Sequence, residues 1–221
     1  MRQGDQVELN QSPRVESDAH RLIVELAKGR RVLNVGAAGN AEDYLDGGEA
    51  DWLHAQIAAV AVETVGLDID EQSVRQLSER GYDTVCGNAE DAALKRKFDL
   101  VVMSDVIEHF DNPGIAIANM MAHLDDDGDL VMTTPNATAW SLVARAALRK
   151  SMGIYWDHVA VYAPEHIQAM CDRHGYTVAD LALFTDVEGR RRNRGLKHIV
   201  SRLATRMVPR FHGWIYCRIT R

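Results

Sequence analysis

Apolar residues in this chain gather into short continuous runs, separated by stretches in which they recur every three or four positions. The runs are Arg31–Gly36 (RVLNVG), Val65–Asp70 (VGLDID), Asp83–Asp91 (DTVCGNAED), Phe98–Asp105 (FDLVVMSD), Asp127–Asn136 (DGDLVMTTPN), Thr177–Phe184 (TVADLALF) and Gly213–Thr220 (GWIYCRIT). Between or before them, Asp18–Lys28, Asp51–Val60, Glu71–Tyr82, the stretch from Val106 to Leu124 and Pro164–Tyr176 have helical spacing, with Gly29, Gly81 and Gly175 as stop signals. Unbroken apolar runs predict strands covered on both faces, and their alternation with helices predicts a mainly parallel α/β sheet.

The pattern breaks after Pro135. Residues 136–158 read as a helical insertion (NATAWSLVARAALRK) followed by an aromatic turn (SMGIYWDH), and 136–163 together would form a lid. A second insertion, 187–212, separates the last two strand candidates; it is too long for a hairpin loop and predicts a helix in its second half. Residues 1–17 lack periodicity and read as a flexible arm. The whole of 1–221 reads as one domain.

Composition narrows the class. Hydrophobic residues at 46% and charged residues at 26% are ordinary for a globular protein, and no apolar run approaches the roughly 20 residues that span a bilayer. The polar N-terminus resembles neither a secretory signal nor a transit peptide, so the expected location is the cytoplasm. Cys86, Cys171 and Cys217 are too scattered for a disulfide framework or a metal clip. A net charge of -7 argues against nucleic-acid binding. Residues 187–212 run the other way, carrying seven arginines and one lysine against one glutamate.

The candidate chemistry sits where the runs end. Gly36 permits a sharp turn after the first run, Ala37 and Ala38 keep it narrow, and Gly39 lets the chain pass close to a bound group. A dinucleotide fingerprint wants glycine at positions one, three and six, where this chain has Gly36, Ala38 and Ala41, which disfavours a nicotinamide dehydrogenase. A tight turn without a ligand is the plainer alternative. Asp68, followed by Ile69, can accept hydrogen bonds from two ribose hydroxyls or cap the next helix, a role Asp70 can also fill. Asn88, Ala89 and Glu90 follow the third run, where an amide and backbone groups can read a base edge.

In this order VLNVGAAGN, GLDID, CGNAED, FDLVVMSDVIEHFDNP and LDDDGDLVMTTPN resemble the class I S-adenosylmethionine-dependent methyltransferases, over about residues 21–176. The resemblance implies a Rossmann-like doubly wound sheet of seven mainly parallel strands with an antiparallel last strand. It also implies that Gly36, Ala37, Ala38 and Gly39 face the methionine part of S-adenosylmethionine, Asp68 the ribose and Asn88–Glu90 the adenine. Ser104 and Asp105 would edge the methyl-transfer site.

A sulfonium methyl is already electrophilic, so thiols and amines need little beyond alignment, whereas an aliphatic hydroxyl needs a general base, a metal or both. Asp105, Glu108 and His109 form a DxxEH pattern that a strand end and one helical turn would aim at one point, suiting Mg2+ or Mn2+. Helix capping is the plainer role of such a pair. The pattern is similar to that of ubiquinone-pathway O-methyltransferases, which implies divalent-metal binding. His158 is a further candidate base, or a tie between the lid and the core.

Trp140, Tyr155, Trp156 and Tyr162 would stack on an acceptor or fill the lid. The expected activity is thus O-methylation of a hydroxyl-bearing small molecule such as a sugar or saccharide; the alternatives are a phenolic quinone precursor and a noncatalytic cofactor-binding protein. The basic insertion suggests a peripheral membrane contact, an acidic acceptor, or a solvated edge contributing to a homodimer.

Overall fold

Every continuous apolar run becomes a strand. In the computed structural model, residues 6–39, 44, 51–185 and 196–221 are described, without the side chains of 196–199 and 202; the arginine-rich start of the basic insertion lies outside them. The strands are β1 (Arg14–Glu16), β2 (Arg31–Val35), β3 (Glu63–Asp68), β4 (Thr84–Cys86), β5 (Phe98–Ser104), β6 (Leu124–Pro135), β7 (Thr177–Phe184) and β8 (Trp214–Thr220). The helices are α1 (Ala19–Ala27), α2 (Leu53–Ala58), α3 (Glu71–Glu79), α4 (Pro113–Ala122), α5 (Trp140–Ala147), α6 (Pro164–His174) and α7 (Leu196–Met207). Single 3-10 turns form at Ile107–His109 and Pro209–Phe211.

The chain divides into two compact units, residues 20–132 with Thr220, and residues 1–19 and 133–219 with Arg221. Within the first, the strands lie in the order β6-β5-β2-β3-β4, and within the second in the order β1-β7-β8-β6, β6 having residues in both. The sheet is mostly parallel, with antiparallel strands toward the C-terminus. In the first unit the core is the strand pair at its centre: Val32, Leu33 and Val35 of β2 and the whole run Leu100–Met103 of β5 are buried. Continuous rather than alternate burial is what a parallel strand covered on both faces requires. At the opposite end from the site described below, Arg31 joins strand beginnings, bonding Asp99 through its backbone N–H at 2.8 Å and pairing with Asp99 and Asp125 through its guanidinium. These pairs are half-exposed, so solvent screens them.

Two sequence expectations change. Part of the expected N-terminal arm is strand β1, paired in parallel with β7 so that Arg14 faces Ala182 and Glu16 faces Phe184. Asn10 and Gln11 donate to the Val178 carbonyl at 3.2 and 2.9 Å, and the Arg14 guanidinium grips Asp180 at 2.9 and 3.0 Å. A three-residue strand is too short to show a period, so the described sheet has eight strands rather than seven. Strand β6 also starts earlier than the apolar run, at Leu124, and carries Asp125–Asp127 within it.

The cysteines are free. Burial pushes the Cys171 thiol up to about 12, which suits a packing role. Among the described residues no helix is long and apolar enough to cross a membrane.

Candidate active site

Register brings the predicted cofactor residues to one edge. Val35 of β2 faces Leu67 of β3 on one side and Met103 of β5 on the other. The next residues along these strands are Gly36, Asp68 and Ser104, so three strand ends open together at the point where the strand order reverses around β2. Ligands of open α/β sheets bind at such a switch point. One strand further, Asp68 faces Cys86 of β4, and Asn88 follows two residues on.

Gly36 is fixed by two constraints. Its φ is +71°, and a Cβ there would lie 2.2 Å from Cγ1 of Val106. No L side chain satisfies both. Its N–H donates to the Leu67 carbonyl at 2.8 Å, carrying the β2–β3 ladder into the turn. Gly39, with φ of +47°, has nothing among the described residues within 4 Å of its would-be Cβ, so conformation defines it. Ala37 and Ala38 between them are buried.

Asp68 braces this loop. Its Oδ2 accepts the Ala38 N–H at 2.9 Å and its Oδ1 the Asp70 N–H at 3.1 Å. Helix α3 is capped instead by Asp70, which accepts the Ser73 N–H at 3.1 Å. That leaves Asp68 with lone pairs beyond the two bonds it makes, and a carboxylate offers about four acceptor positions. Ile69 beside it is exposed.

Asn88–Glu90 form a self-bracing turn. Asn88 Oδ1 accepts the Glu90 N–H at 3.0 Å, and the carbonyl of the buried Ala89 accepts from Asn119 Nδ2 at 2.9 Å. The Glu90 carboxylate takes the N–H and Nδ2 of Asn112, each at 3.1 Å, fixing the start of α4.

Under the loop lies a cluster that sequence reasoning missed. Trp52 Nε1 donates to the Ala37 carbonyl at 3.1 Å, and its ring lies 5.1 Å from both His54 and Tyr82 and 6.3 Å from Tyr44. Gly66 makes room: a Cβ there would meet Ala37 at 2.8 Å and His54 at 3.1 Å. His54 is buried and accepts from Asn34 Nδ2 through Nδ1 at 3.1 Å, so the ring is neutral there.

Burial pulls the His54 imidazole down from 6.5 to about 4. Between those values the unfolded chain binds more protons than the folded one, so stability rises with pH across that window and is lost on acidification. The shift corresponds to about 3 kcal/mol. Urea unfolding followed from neutral pH down to about pH 4 should show this slope, and His54→Gln should flatten it; an unchanged slope would remove His54 as its source.

At the end of β5 the backbone does not continue into a helical turn. Asp105 has φ of +51°, a conformation that aspartate tolerates better than most residues, and the 3-10 turn Ile107–His109 starts after it. Glu108 is buried at 1% exposure while His109 faces solvent. A Glu108 carboxylate oxygen and a His109 ring nitrogen lie within 4.8 Å of each other. Asp105, Glu108 and His109 do not, however, bring three ligand atoms within that distance of one another. The turn expected after the strand end is a 3-10 turn that carries Glu108 and His109 and is reached through the left-handed Asp105.

His158 belongs to the second unit, where it is half-buried; its N–H donates to the Tyr155 carbonyl at 3.2 Å and its ring lies 5.2 Å from that of Tyr155. In the same unit Trp140 lies 5.6 Å from Phe211, and Tyr162 is buried. Two other histidines are structural. His123 Nε2 accepts the Leu94 N–H at 3.2 Å while Nδ1 bonds the Asn119 carbonyl at 2.8 Å, and His166 Nδ1 accepts the Ala163 N–H at 3.0 Å.

A methyltransferase-domain family model matches residues 10–181. The comparison with curated protein sequences gives no match. Among solved structures, the chain is similar to magnesium protoporphyrin IX methyltransferase from Synechocystis PCC 6803 with bound S-adenosylhomocysteine (13% identity, 92% of this chain and 82% of that one, TM-score 0.60). It is also similar to a SAM-dependent methyltransferase from Archaeoglobus fulgidus (16%, 91% and 90%, TM-score 0.59). A third is the N-methyltransferase NodS from Bradyrhizobium japonicum WM9 in complex with S-adenosylhomocysteine (15%, 91% and 84%, TM-score 0.55). With a family model covering most of its length and this fold around the β2 switch point, the chain belongs to the class I S-adenosylmethionine-dependent methyltransferases.

Proposed function

We propose that the chain transfers the methyl group of S-adenosylmethionine to a hydroxyl of a small, hydroxyl-rich acceptor such as a sugar or saccharide. The observation that carries this reading is the pairing of buried Glu108 with solvent-facing His109 at the end of β5. An amine or thiol acceptor needs only alignment with the sulfonium methyl, whereas a hydroxyl must lose a proton. His109 is the general base, and the Glu108 carboxylate, with an oxygen within 4.8 Å of a ring nitrogen, favours the imidazolium that forms. Gly36–Gly39 and Asp68 hold the donor one strand end away. The acceptors of the solved neighbours, a magnesium protoporphyrin for one and a nitrogen for another, differ among themselves, so the fold does not choose between them.

Where a divalent ion such as Mg2+ takes part, Glu108 and His109 are the two ligands that this unit brings near each other, Asp105 standing outside the pair. Such an ion would favour the deprotonated hydroxyl.

The test is transfer of labelled methyl from S-adenosylmethionine to panels of sugars, phenols and amines, with and without EDTA. Sugar hydroxyls should accept the label. Transfer confined to amines would overturn the reading, and transfer unchanged by EDTA would remove the ion. A His158→Ala variant run alongside should keep its turnover; if it loses turnover while His109→Ala does not, the base is His158.

A further inference from the structure

We propose that the surface formed by α5, the 154–159 turn and α7 docks on an anionic lipid bilayer. Of the fourteen exposed large hydrophobic residues among those described, ten fall in two segments of the second unit. One segment runs from Val143 to Val159 and includes Leu148, Tyr155 and Trp156; the other runs from Val200 to Val208 and includes Leu203 and Met207. The two segments pack together through α5 and α7.

The exposure is extreme for such residues: Trp156 is 96%, Met207 76% and Tyr155 73% exposed. Val200, Leu203 and Met207 recur at intervals of three and four, so they share one face of α7. None of the residues of α5 is buried, so the pair presents apolar surface outward instead of closing it into a core. Exposed apolar surface of this kind marks an interaction site.

Charge selects the partner. Across 137–159 and 196–212 the one acidic residue is Asp157, in a chain whose net charge is -7. Arg145, Arg149, Lys150, Arg206 and Arg210 lie in these segments, and of these Arg210 is paired with Glu165. An apolar helix face flanked by cations, with an exposed tryptophan beside it, is the composition of an interfacial membrane helix. A protein partner would more often meet such a surface with shape-matched pockets; a bilayer needs only apolar depth and negative headgroups. Because no described helix is long enough to cross, the contact is peripheral.

Flotation of the full chain with phosphatidylcholine vesicles, with and without phosphatidylglycerol, tests this. The chain should float with the anionic vesicles alone, and added salt should release it. Leu203→Asp with Met207→Asp should abolish flotation while leaving S-adenosylhomocysteine binding unchanged, which shows that the variant is folded. Independently, Arg206→Gln should weaken partitioning roughly fivefold, since each surface cation contributes about that factor. No flotation of the wild-type chain would overturn the proposal, as would flotation that both variants share equally. A wild-type dimer that the double variant converts to a monomer, without lipid binding, would instead assign the surface to a second copy of the chain.

Discussion

His109→Ala is expected to lower methyl transfer to a hydroxyl acceptor by roughly 10²–10⁴-fold, the usual contribution of a positioned general base, while leaving S-adenosylhomocysteine affinity unchanged. The separation of the two readouts follows from where the groups sit. In the proposed arrangement the donor lies over the ends of β2 and β3, whereas His109 projects from the 3-10 turn after β5, facing solvent. Glu108→Gln should reduce turnover less, because it keeps the side chain's volume in a buried position and removes only the carboxylate charge beside the imidazole. An equal loss of cofactor affinity in His109→Ala would place that ring against the donor instead of the acceptor. Steady-state kinetics with calorimetry on the same preparations reads both quantities.

Gly36→Ala is expected to destabilise the chain by about 2–5 kcal/mol and to weaken cofactor binding in parallel. About 1–2 kcal/mol comes from holding an L residue at positive φ, and the remainder from the overlap with Val106, for which overpacking by one methyl costs about 1–3 kcal/mol. These parts can be separated. Val106→Ala in the Gly36→Ala background should recover the steric part and leave the conformational part, a coupling that a double-mutant cycle isolates. Gly39→Ala, with positive φ but nothing among the described residues within 4 Å of its Cβ position, should show only the conformational loss. If Gly36→Ala and Gly39→Ala behave alike, Val106 does not press on the turn.

The central strands are legible in the sequence because both of their faces are covered, which leaves no polar alternation to obscure RVLNV or FDLVVMS. Gly36 and Asp68 are legible for a related reason, since a glycine or an acid directly after a buried run stands where the strand must turn and the sheet edge opens. Strand β1 is not, because its only signature is a partner strand near the other end of the chain. Nor is the support under the cofactor loop. Trp52, His54 and Tyr82 carry no local mark of which loop they brace, and only the 3.1 Å bond from Trp52 to Ala37 reveals it. The DxxEH spacing marks the turn that carries Glu108 and His109, but not the left-handed aspartate that leads into it. For Glu90 the motif gives the position but not the use: both carboxylate oxygens are engaged by Asn112. The basic character of 187–212 is plain from composition, whereas the exposure of Leu203 and Met207 on one helix face needs the fold.

The most direct measurement is a calorimetric titration of the full chain with S-adenosylhomocysteine, repeated with Asp68→Asn. One site should bind in the wild-type chain, and the variant should bind roughly tenfold to a hundredfold more weakly, the loss expected when hydrogen bonds to a charged acceptor become neutral ones. No binding by the wild-type chain, or equal binding by both, would contradict the placement of the cofactor over the joined ends of β2 and β3.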